Sequence, residues 1–558
     1  MLHRRLHLSQ RKSRGFLVVL MLFLTIILAA CAGGGNSSSS GSAGTTTSSG
    51  KTPLPAAKQI LTFPNVGTTD LTTLDPALGL DQNSAVVARM LYTGLVKTDQ
   101  NLHILPDQAT WQISSDNKVY TFTLKPNITF SDGSPVTAQT YVDSWMRALS
   151  PSLASPVALD FERPIVGAVD VSNGKAQTLA GVKALDAHTL QVTLTQPTPY
   201  FLSMLTNPFF SPLNSQLIAL YGQKDWSWHV AKNPVGTGPL MVKEWLHNVK
   251  MILVPNPHYY GNKTRLTEVD MFFINDPLIA FKTYRAGQYD FVWGMAPSDM
   301  AAAKGLSGFL SVSLLQTDAL FFDTTSPPFD NVAVRQAFAY AIDKQTLAHK
   351  VLADSAFAAP TILPPGMPGY QPNDQGLAYD QTKAKSLLST VYPDVTTFPP
   401  VTFSYPTALI SLGEARALRN MWQTTLGIPV DLHPIELGAY NQEVSNHQIQ
   451  FGFTQWSADF PDPYDCLALN LVSTADDNTA QWHSSTFDQA INQAETLTGN
   501  ARLALYDKAE QTAINDVAWL PLDHQAITAV ISSWVHGVTL NGNGLYFGDW
   551  SNVYLTQH

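Results

Sequence analysis

The stretch Tyr120-Thr121-Phe122-Thr123-Leu124 and the nearby stretch Phe130-Ser131-Asp132-Gly133-Ser134-Pro135-Val136-Thr137-Ala138 decide the fold class. Apolar and polar residues alternate in the first stretch, which predicts a strand with Tyr120, Phe122 and Leu124 on one face. The second stretch predicts a turn at Asp132-Gly133, followed by a helix that Thr137 caps and that continues to Leu149. The chain therefore combines strands and helices.

The same two patterns recur along the rest of the chain. Alternation at Leu190, Val192 and Leu194 predicts another strand. Helical spacing after Asn331 predicts one helix with an apolar face, and a further helix is expected near Leu503–Ile514. That apolar face is formed by Val334, Phe338, Ala341 and Ile342. Strands and helices do not alternate strictly, so the sequence predicts an α/β protein without a single doubly wound sheet.

The N-terminus has the order of a secretory signal peptide. Five basic residues precede the apolar run Phe16–Leu28, and small residues follow at Ala29 and Ala30. The run is shorter than the roughly 20 apolar residues of a membrane-spanning helix, so a permanent span is the weaker alternative.

Leu28-Ala29-Ala30-Cys31 resembles a bacterial lipobox, in which the cysteine is acylated and becomes the first mature residue. Acyl chains on Cys31 would hold the protein at a membrane surface. The next residues, 32–50, are almost entirely Gly, Ser, Thr and Ala, which predicts a flexible tether. We therefore expect a protein of the extracytoplasmic face of a bacterial cell membrane, anchored at Cys31.

Composition limits the remaining possibilities. With 558 residues, 45% of them hydrophobic, the chain should form more than one domain. Its net charge of −10 becomes −15 without the signal peptide, which disfavours nucleic acid as a partner. The second of two cysteines, Cys466, cannot form an internal disulfide once Cys31 is lipidated; a buried inert thiol is favoured over a nucleophile.

Catalytic and cofactor motifs are missing from the sequence, so neither an enzyme, a cofactor nor a metal is expected. His-Glu-x-x-His, Gly-x-Ser-x-Gly and paired-cysteine patterns do not occur, and His433, His447 and His483 lack ligand spacing. The loop Asn233–Pro239 lacks the Gly-Lys-Ser/Thr ending of a phosphate-binding loop, and its two prolines remove backbone donors. A structural turn is the better interpretation.

An ordered set of short motifs identifies a resemblance that extends over about residues 60–558. The set resembles the family 5 extracellular solute-binding proteins and, within them, the oligopeptide-binding proteins of ABC importers. Its members are Trp111 with Tyr120–Lys125, Phe130–Ala138, Gly181–Asp186, Pro197–Phe201, Asn233–Pro239, Asn256–Tyr260, Tyr284–Gly287 with Asp290, and Pro328–Asp343.

The resemblance implies a two-lobed periplasmic-binding-protein-like clamp of α/β class (type II, three-domain, cluster C type). After the signal peptide (1–30) and the lipidated cysteine with its tether (31–58), domain I would comprise 59–92, 217–316 and 525–558. Domain II would comprise 93–216 and domain III 317–524. The ligand would lie between lobes that close by a hinge motion.

The implied function is that of a substrate-binding lipoprotein, a monomer that captures short peptides and delivers them to the permease of an ABC importer. The resemblance assigns the peptide's amino group to Asp459, with Trp456, Ala458 and Phe460 as further ligand-binding residues. By composition alone, a segment this rich in Asp and Pro is more often an ordinary surface turn, and that interpretation is retained for Asp462 and Asp465. Core packing is an equally ordinary role for Trp456 and Phe460.

The chain departs from the family pattern at three places: the first concerns stability, and the other two leave the preferred peptide length open. Ser457 replaces a cysteine, Phe453 and its apolar neighbours replace an arginine, and Asp81 is the nearest candidate for an acidic residue expected after Asp75. The alternatives are a receptor of the same fold for a nickel chelate, haem, an oligosaccharide or a signalling peptide and, more remotely, a secreted enzyme. The last would need a nucleophile and a base in contact, which the sequence does not indicate.

Overall fold

The computed structural model describes residues 52–229 and 236–557. The predicted signal peptide, Cys31, the tether up to residue 51 and the first half of the Asn233–Pro239 loop lie outside the described residues. Residues 52–58, which were assigned to the tether, are described, and the N–H of Leu54 donates to the carbonyl of Leu555 at 2.9 Å. Within the described ranges, no helix combines the length and the apolar character needed to cross a membrane.

The described chain contains both kinds of element throughout. The strands are β1 (Ile60–Val66), β2 (Val96–Thr98), β3 (Ile104–Pro106), β4 (Ala109–Ile113), β5 (Val119–Leu124), β6 (Val182–Ala184), β7 (Thr189–Thr193), β8 (Leu240–Leu246), β9 (Lys250–Pro255), β10 (Glu268–Ile274), β11 (Phe291–Trp293), β12 (Phe309–Phe322), β13 (Ala356–Ala358), β14 (Val401–Pro406), β15 (Val430–Ile435), β16 (Phe451–Ser457), β17 (Leu520–Ile531), β18 (Val535–His536), β19 (Thr539–Asn541), β20 (Gly544–Tyr546) and β21 (Tyr554–Leu555). The α-helices are α1 (Gln82–Leu91), α2 (Ala138–Ala148), α3 (Ala158–Glu162), α4 (Ala168–Ser172), α5 (Phe201–Met204), α6 (Ser215–Tyr221), α7 (Pro277–Arg285), α8 (Met300–Lys304), α9 (Val332–Tyr340), α10 (Lys344–Thr346), α11 (Gln381–Val391), α12 (Leu412–Leu426), α13 (Leu437–Ser445), α14 (Leu469–Leu471), α15 (Ser485–Ala494) and α16 (Gly499–Asp516).

The local predictions around the first motif are confirmed. Strand β5 buries Tyr120, Phe122 and Leu124 as the alternation requires. Thr137 is the N-cap of α2, where its backbone N–H donates to Thr140 Oγ1 at 3.1 Å. Helix α16 covers the segment predicted near Leu503–Ile514. Helix α9 contains Val334 and Phe338 but ends at Tyr340, so Ala341 and Ile342 are buried just beyond it.

Three sheets of four or more strands organise the described elements, beside three two-stranded sheets. A four-stranded sheet has the order β1-β10-β9-β8, and another has the order β4-β5-β7-β6. The largest sheet has the order β11-β17-β12-β16-β14-β15, with β13 also paired to β17. Each four-stranded sheet packs against one large hydrophobic core, whereas the largest sheet contributes side chains to two.

The cores are assembled from different parts of the chain. One gathers residues from 61–92, 213–293 and 527–555, a second gathers residues from 77–210 together with Phe460, and a third gathers residues from 315–522 together with Leu102. The three-domain boundaries stay a prediction, which this distribution supports.

Two long antiparallel strands, β12 and β17, run from the first core into the third. Their pairing is continuous from Phe309 to Ser313 and resumes at Thr317, which pairs with His524, after a register shift. Such an irregularity bends a strand and interrupts its ladder, so the strands change direction between the two cores.

Candidate functional site

Strand β16 presents a free edge at its C-terminal end. One side of β16 pairs with β12 along its whole length, whereas β14 meets the other side only at Ser404–Gly452. Beyond that bridge, the N–H of Phe453 donates to Tyr440 Oη at 2.8 Å, and Tyr440 Oη donates to the carbonyl of Phe453 at 2.6 Å. Within the described chain, no strand pairs with this edge between Phe453 and Ser457.

Backbone groups of alternate residues point to the same edge of an antiparallel strand. Because those of Phe453 face Tyr440, those of Gln455 and Ser457 face the same open edge. The N–H of Ala458 points the other way and donates to the carbonyl of Leu315 at 2.8 Å. The strand therefore offers the backbone groups of Gln455 and Ser457 to an extended ligand.

A buried carboxylate, Asp465, shapes the turn that follows β16. Asp465 accepts from the indole Nε1 of Trp456 at 2.6 Å and from the backbone N–H of Asp459 at 3.2 Å. Its side chain is fully buried, and burial raises its pKa well above the usual range, with the neighbouring Asp459 as the next contributor. Asp465 thus fixes both the ring of Trp456 and the backbone of Asp459.

The carboxylate of Asp459 is exposed and makes no hydrogen bond or ion pair with any described residue. Its backbone, in contrast, is held on both sides, since Asn207 Nδ2 donates to the Asp459 carbonyl at 3.1 Å. The turn therefore presents an unneutralised carboxylate on a fixed backbone, close to the open edge of β16.

The electrostatic environment of Asp459 is negative. Partial removal from bulk water raises the pKa of Asp459 to about 6, and Asp160 on α3 contributes further. Asp160 likewise raises the pKa of Asp477, although burial is the larger cause. Desolvation raises the pKa of Asp160 itself, and the exposed Arg163 partly offsets that rise. A positively charged ligand group would relieve this repulsion.

The other proposed site residues lie around the same turn. Trp456 is half-buried with its indole nitrogen held by Asp465, and half-buried Ala458 is bonded to Leu315. Phe460 is buried in the second core, where it stacks on Tyr200 at a centroid distance of 5.7 Å. Phe460 therefore lies behind the turn and supports it by packing.

The surface-turn interpretation of Asp462 and Asp465 is wrong, because both are buried. Asp462 accepts two hydrogen bonds from Arg502, from Nη1 at 2.8 Å and from Nη2 at 2.6 Å, and Arg502 is itself buried. The turn is thus tied to α16 by a bidentate ion pair, an arrangement that short-range sequence patterns do not indicate.

Asp81 lies at the start of a helix, and Cys466 lies in the protein interior. Asp81 is the N-cap of α1 and accepts from the backbone N–H groups of Asn83 and Ser84, both at 2.9 Å. Cys466 is a free, buried thiol, and burial raises its pKa well above the usual range. The preference for a buried thiol at Cys466 is confirmed.

The described half of the glycine-rich loop packs tightly against α1. A Cβ at Gly236 would lie 1.8 Å from the carbonyl oxygen of Leu91, and one at Gly238 would lie 2.5 Å from that of Met90. The N–H of Gly238 donates to the Leu91 carbonyl at 2.8 Å. These glycines allow two backbone segments to approach closely, as a structural turn requires.

One hydroxyl–imidazole pair, which the sequence did not indicate, lies inside the third core. Thr317 Oγ1 and His524 Nδ1 are 2.9 Å apart, and both side chains are buried. The hydroxyl donates to the carbonyl of Ile362 at 2.8 Å, so it is already committed to a structural hydrogen bond. Among the described residues, His, Cys, Asp and Glu side chains form no group of three or more that could hold a metal ion.

The chain belongs to the bacterial extracellular solute-binding proteins of family 5. The profile described as "Bacterial extracellular solute-binding proteins, family 5 Middle" matches residues 105–478. The predicted family and fold class are thereby confirmed, with the mixed α/β architecture seen here.

Among curated relatives, the probable deoxycholate-binding periplasmic protein YgiS of Escherichia coli is 31% identical over 520 residues, which cover 91% of this chain and 95% of the relative. The periplasmic oligopeptide-binding protein OppA of Salmonella typhimurium is 31% identical over 492 residues, which cover 85% of this chain and 88% of the relative. Among solved structures, the murein tripeptide-binding protein MppA in its unliganded open form has a TM-score of 0.78 and 29% identity, and the match covers 92% of this chain and 99% of that one. These relatives are binding proteins, and several are named for peptides.

Proposed function

We propose that this chain is the substrate-binding lipoprotein of an ABC importer, which captures short peptides and delivers them to a membrane permease. The observation that carries the proposal is the unpartnered carboxylate of Asp459, positioned where the open edge of β16 ends. The two features match the two invariant parts of a peptide, its backbone and its charged amino terminus.

The chemistry of capture follows from this pairing. Backbone hydrogen bonds to Gln455 and Ser457 would hold an extended peptide without regard to its side chains. The α-ammonium group would bond to Asp459, and a charge-assisted bond of this kind contributes about 1.5–3 kcal/mol. It would also neutralise the repulsion between Asp459 and Asp160. Affinity would thus depend on a free amino terminus more than on sequence.

Lobe closure around the peptide is part of the proposal. The Asp459 carbonyl accepts from Asn207, so the turn touches residues on either side of the proposed boundary between domains II and III. The register shift between Ser313 and Thr317 lies in the strands that join the first and third cores. A bend at that point would let the two parts rotate while each core stays packed.

The sequence supports an extracytoplasmic location at the membrane. Cys31 would carry the lipid, and the residues 32–50 would let the folded part reach the permease. The relatives OppA and YgiS are named as periplasmic proteins.

Native mass spectrometry of the mature, tag-free protein from cells, followed by denaturation, tests the substrate class. We expect a ladder of short peptides to be released. A clean unliganded mass that also fails to shift with a mixed peptide library would overturn the proposal in favour of a non-peptide receptor of the same fold.

Calorimetric titration tests the assignment of Asp459. We expect Asp459→Asn to weaken the binding of a short peptide at least tenfold, and N-acetylation of the peptide to weaken binding to the unaltered protein similarly. Asp431→Asn, at an exposed position on β15, is the matched control and should bind normally. If folded Asp459→Asn binds the free peptide as tightly as the unaltered protein does, Asp459 is not part of the site.

A further inference from the structure

A short segment that packs in the second core, residues 197–207, lies against the turn that carries Asp459. It contains the motif Pro197–Phe201 and the helix α5 (Phe201–Met204), and it ends at Asn207. Tyr200 immediately precedes α5, and Asn207 comes three residues after that helix. Both residues contact the turn, so this family motif is connected with the candidate binding site.

The buried ring of Tyr200 contacts two aromatic rings of the turn. It stacks on Tyr464 at a centroid distance of 3.9 Å and lies nearly parallel to Phe460 at 5.7 Å. Phe460 is only 3% exposed and belongs to the second core, whereas Tyr464 packs against both the second and the third core. Because Phe460 and Tyr464 flank residues 461–463, Tyr200 contacts the turn before and after its Pro-Asp-Pro centre.

The buried ion pair of the turn also meets Tyr200. The guanidinium carbon of Arg502 lies 5.9 Å from the centroid of the Tyr200 ring, while its nitrogens donate to Asp462. A guanidinium group within about 6 Å of an aromatic face is attracted to the ring. Tyr200 is therefore in contact with the turn through two rings and with the arginine that anchors it.

Asn207 holds the same turn at the residue before Phe460. Its Nδ2 donates to the carbonyl of Asp459 at 3.1 Å, and its Oδ1 accepts from the backbone N–H of Phe209 at 3.0 Å. Since one end of the amide donates and the other accepts, both bonds together fix its orientation. The segment 197–207 thus holds two consecutive residues of the turn, Asp459 by its backbone and Phe460 by its ring.

The segment is itself firmly held within the second core. Tyr120 Oη donates to the carbonyl of Thr198 at 3.1 Å, and the N–H of Phe201 donates to the same carbonyl at 3.0 Å. The fully buried ring of Phe201 meets that of Tyr120 edge-on at 4.9 Å. Pro197 and Pro199 restrict the backbone further. The ring of Tyr200 is consequently presented to the turn from a rigid support.

We propose that Tyr200 is a positioning residue for peptide capture, which holds the Asp459 carboxylate, through Phe460 and Tyr464, where the α-ammonium group of a peptide meets it. The inference rests on the proposed peptide-binding function and adds a residue of the second core to its amino-terminal subsite. Charge-assisted hydrogen bonds depend steeply on distance and angle, so a displaced turn weakens the bond to the ammonium group. Backbone pairing along β16 does not depend on this contact.

Calorimetric titration with a short peptide and its N-acetylated form tests the inference, because the ratio of the two affinities reports the bond between the ammonium group and Asp459. We expect Tyr200→Leu to reduce this ratio from at least tenfold to less than about threefold, through weaker binding of the free peptide. The affinity for the acetylated peptide should change less than about twofold. Tyr200→Phe keeps the ring and should retain the ratio of the unaltered protein.

Phe130→Leu is the matched control. Phe130 is a buried aromatic residue of the second core and makes no ring contact with the segment 197–207 or with the turn within the described chain. This substitution should lower the unfolding free energy and leave the ratio unchanged, which is also the result that a purely structural role of Tyr200 would give.

An unchanged ratio in folded Tyr200→Leu would overturn the inference. If that variant does not fold, Tyr464→Leu alters the same contact at a half-buried position, and an unchanged ratio there would overturn it equally. Equal binding of both peptides by the unaltered protein would overturn it too, while leaving peptide capture intact. An unaltered protein that binds neither peptide would overturn the proposed function itself.

Discussion

Asp459 and Asp462 are three residues apart in one turn, yet their surroundings are opposite. Asp462 is buried and receives two hydrogen bonds from Arg502, whereas Asp459 is exposed and its carboxylate has no partner in the described chain. Both belong to the same Asp- and Pro-rich stretch, so composition cannot distinguish them. The difference shows how one turn can combine a buried ion pair with an exposed carboxylate that has no partner in the described chain.

The largest expected effect comes from breaking the internal anchor. Asp462→Asn leaves the guanidinium of Arg502 buried without its main counter-charge, with only Glu495 remaining at 3.7 Å. Removing one partner of a buried pair costs about 3–5 kcal/mol of unfolding free energy. Denaturant unfolding of Asp462→Asn and Asp459→Asn side by side measures this contrast, and equal stability of the two variants would contradict it.

Replacing the buried carboxylate of Asp465, which holds the turn at Trp456 and Asp459, should lower the unfolding free energy by an intermediate amount. Asp465→Asn retains the shape but can satisfy only one of its two donors, Trp456 Nε1 and the Asp459 backbone N–H. We expect a loss of about 1–3 kcal/mol in unfolding free energy. The fluorescence of Trp456 should change as well; an unaltered spectrum and stability would mean that the turn does not depend on Asp465.

The affinity for peptides should rise with pH because the ammonium group needs an ionised Asp459. The pKa of Asp459 is raised from 3.8 to about 6, so affinity should increase about tenfold between pH 5 and pH 7. Titrations across this range should show a much flatter profile in Asp459→Asn. Without ligand the sign reverses: the raised pKa favours the protonated folded state, so this group's contribution to stability is lost as pH rises from about 4 through 6.

The smallest effect is expected at the contact that holds the Asp459 backbone. Asn207→Ala removes one partly exposed hydrogen bond to the Asp459 carbonyl. The unfolding free energy should fall by about 0.5–1 kcal/mol. Thermal unfolding with and without peptide tests this, and a loss as large as that of Asp462→Asn would show that Asn207 has a greater role than one hydrogen bond.

Local elements could be predicted from the sequence where their signals are local. The alternation at Tyr120–Leu124 and the helical spacing after Asn331 depend on a few adjacent residues, and β5 and α9 form where these patterns lie. The ordered family motifs then predicted the architecture. The burial of Cys466 was also predicted, because a free cysteine behaves as a small apolar residue.

The rest of the site depends on contacts between distant segments. Arg502 reaches Asp462 from 40 residues away, and Asn207 reaches Asp459 from 252 residues away. The open edge of β16 exists because β14 meets that strand at a single bridge, a matter of sheet geometry with no motif of its own.

The position of β17 has a consequence for the order in which the protein can fold. This strand, Leu520–Ile531, lies between β11 and β12 in the large sheet and also pairs with β13. A chain emerging from a ribosome or a translocation channel with its N-terminus first lacks this strand until nearly all of its length is available. The large sheet therefore cannot close before residues 520–531 have been synthesised, after all its other strands.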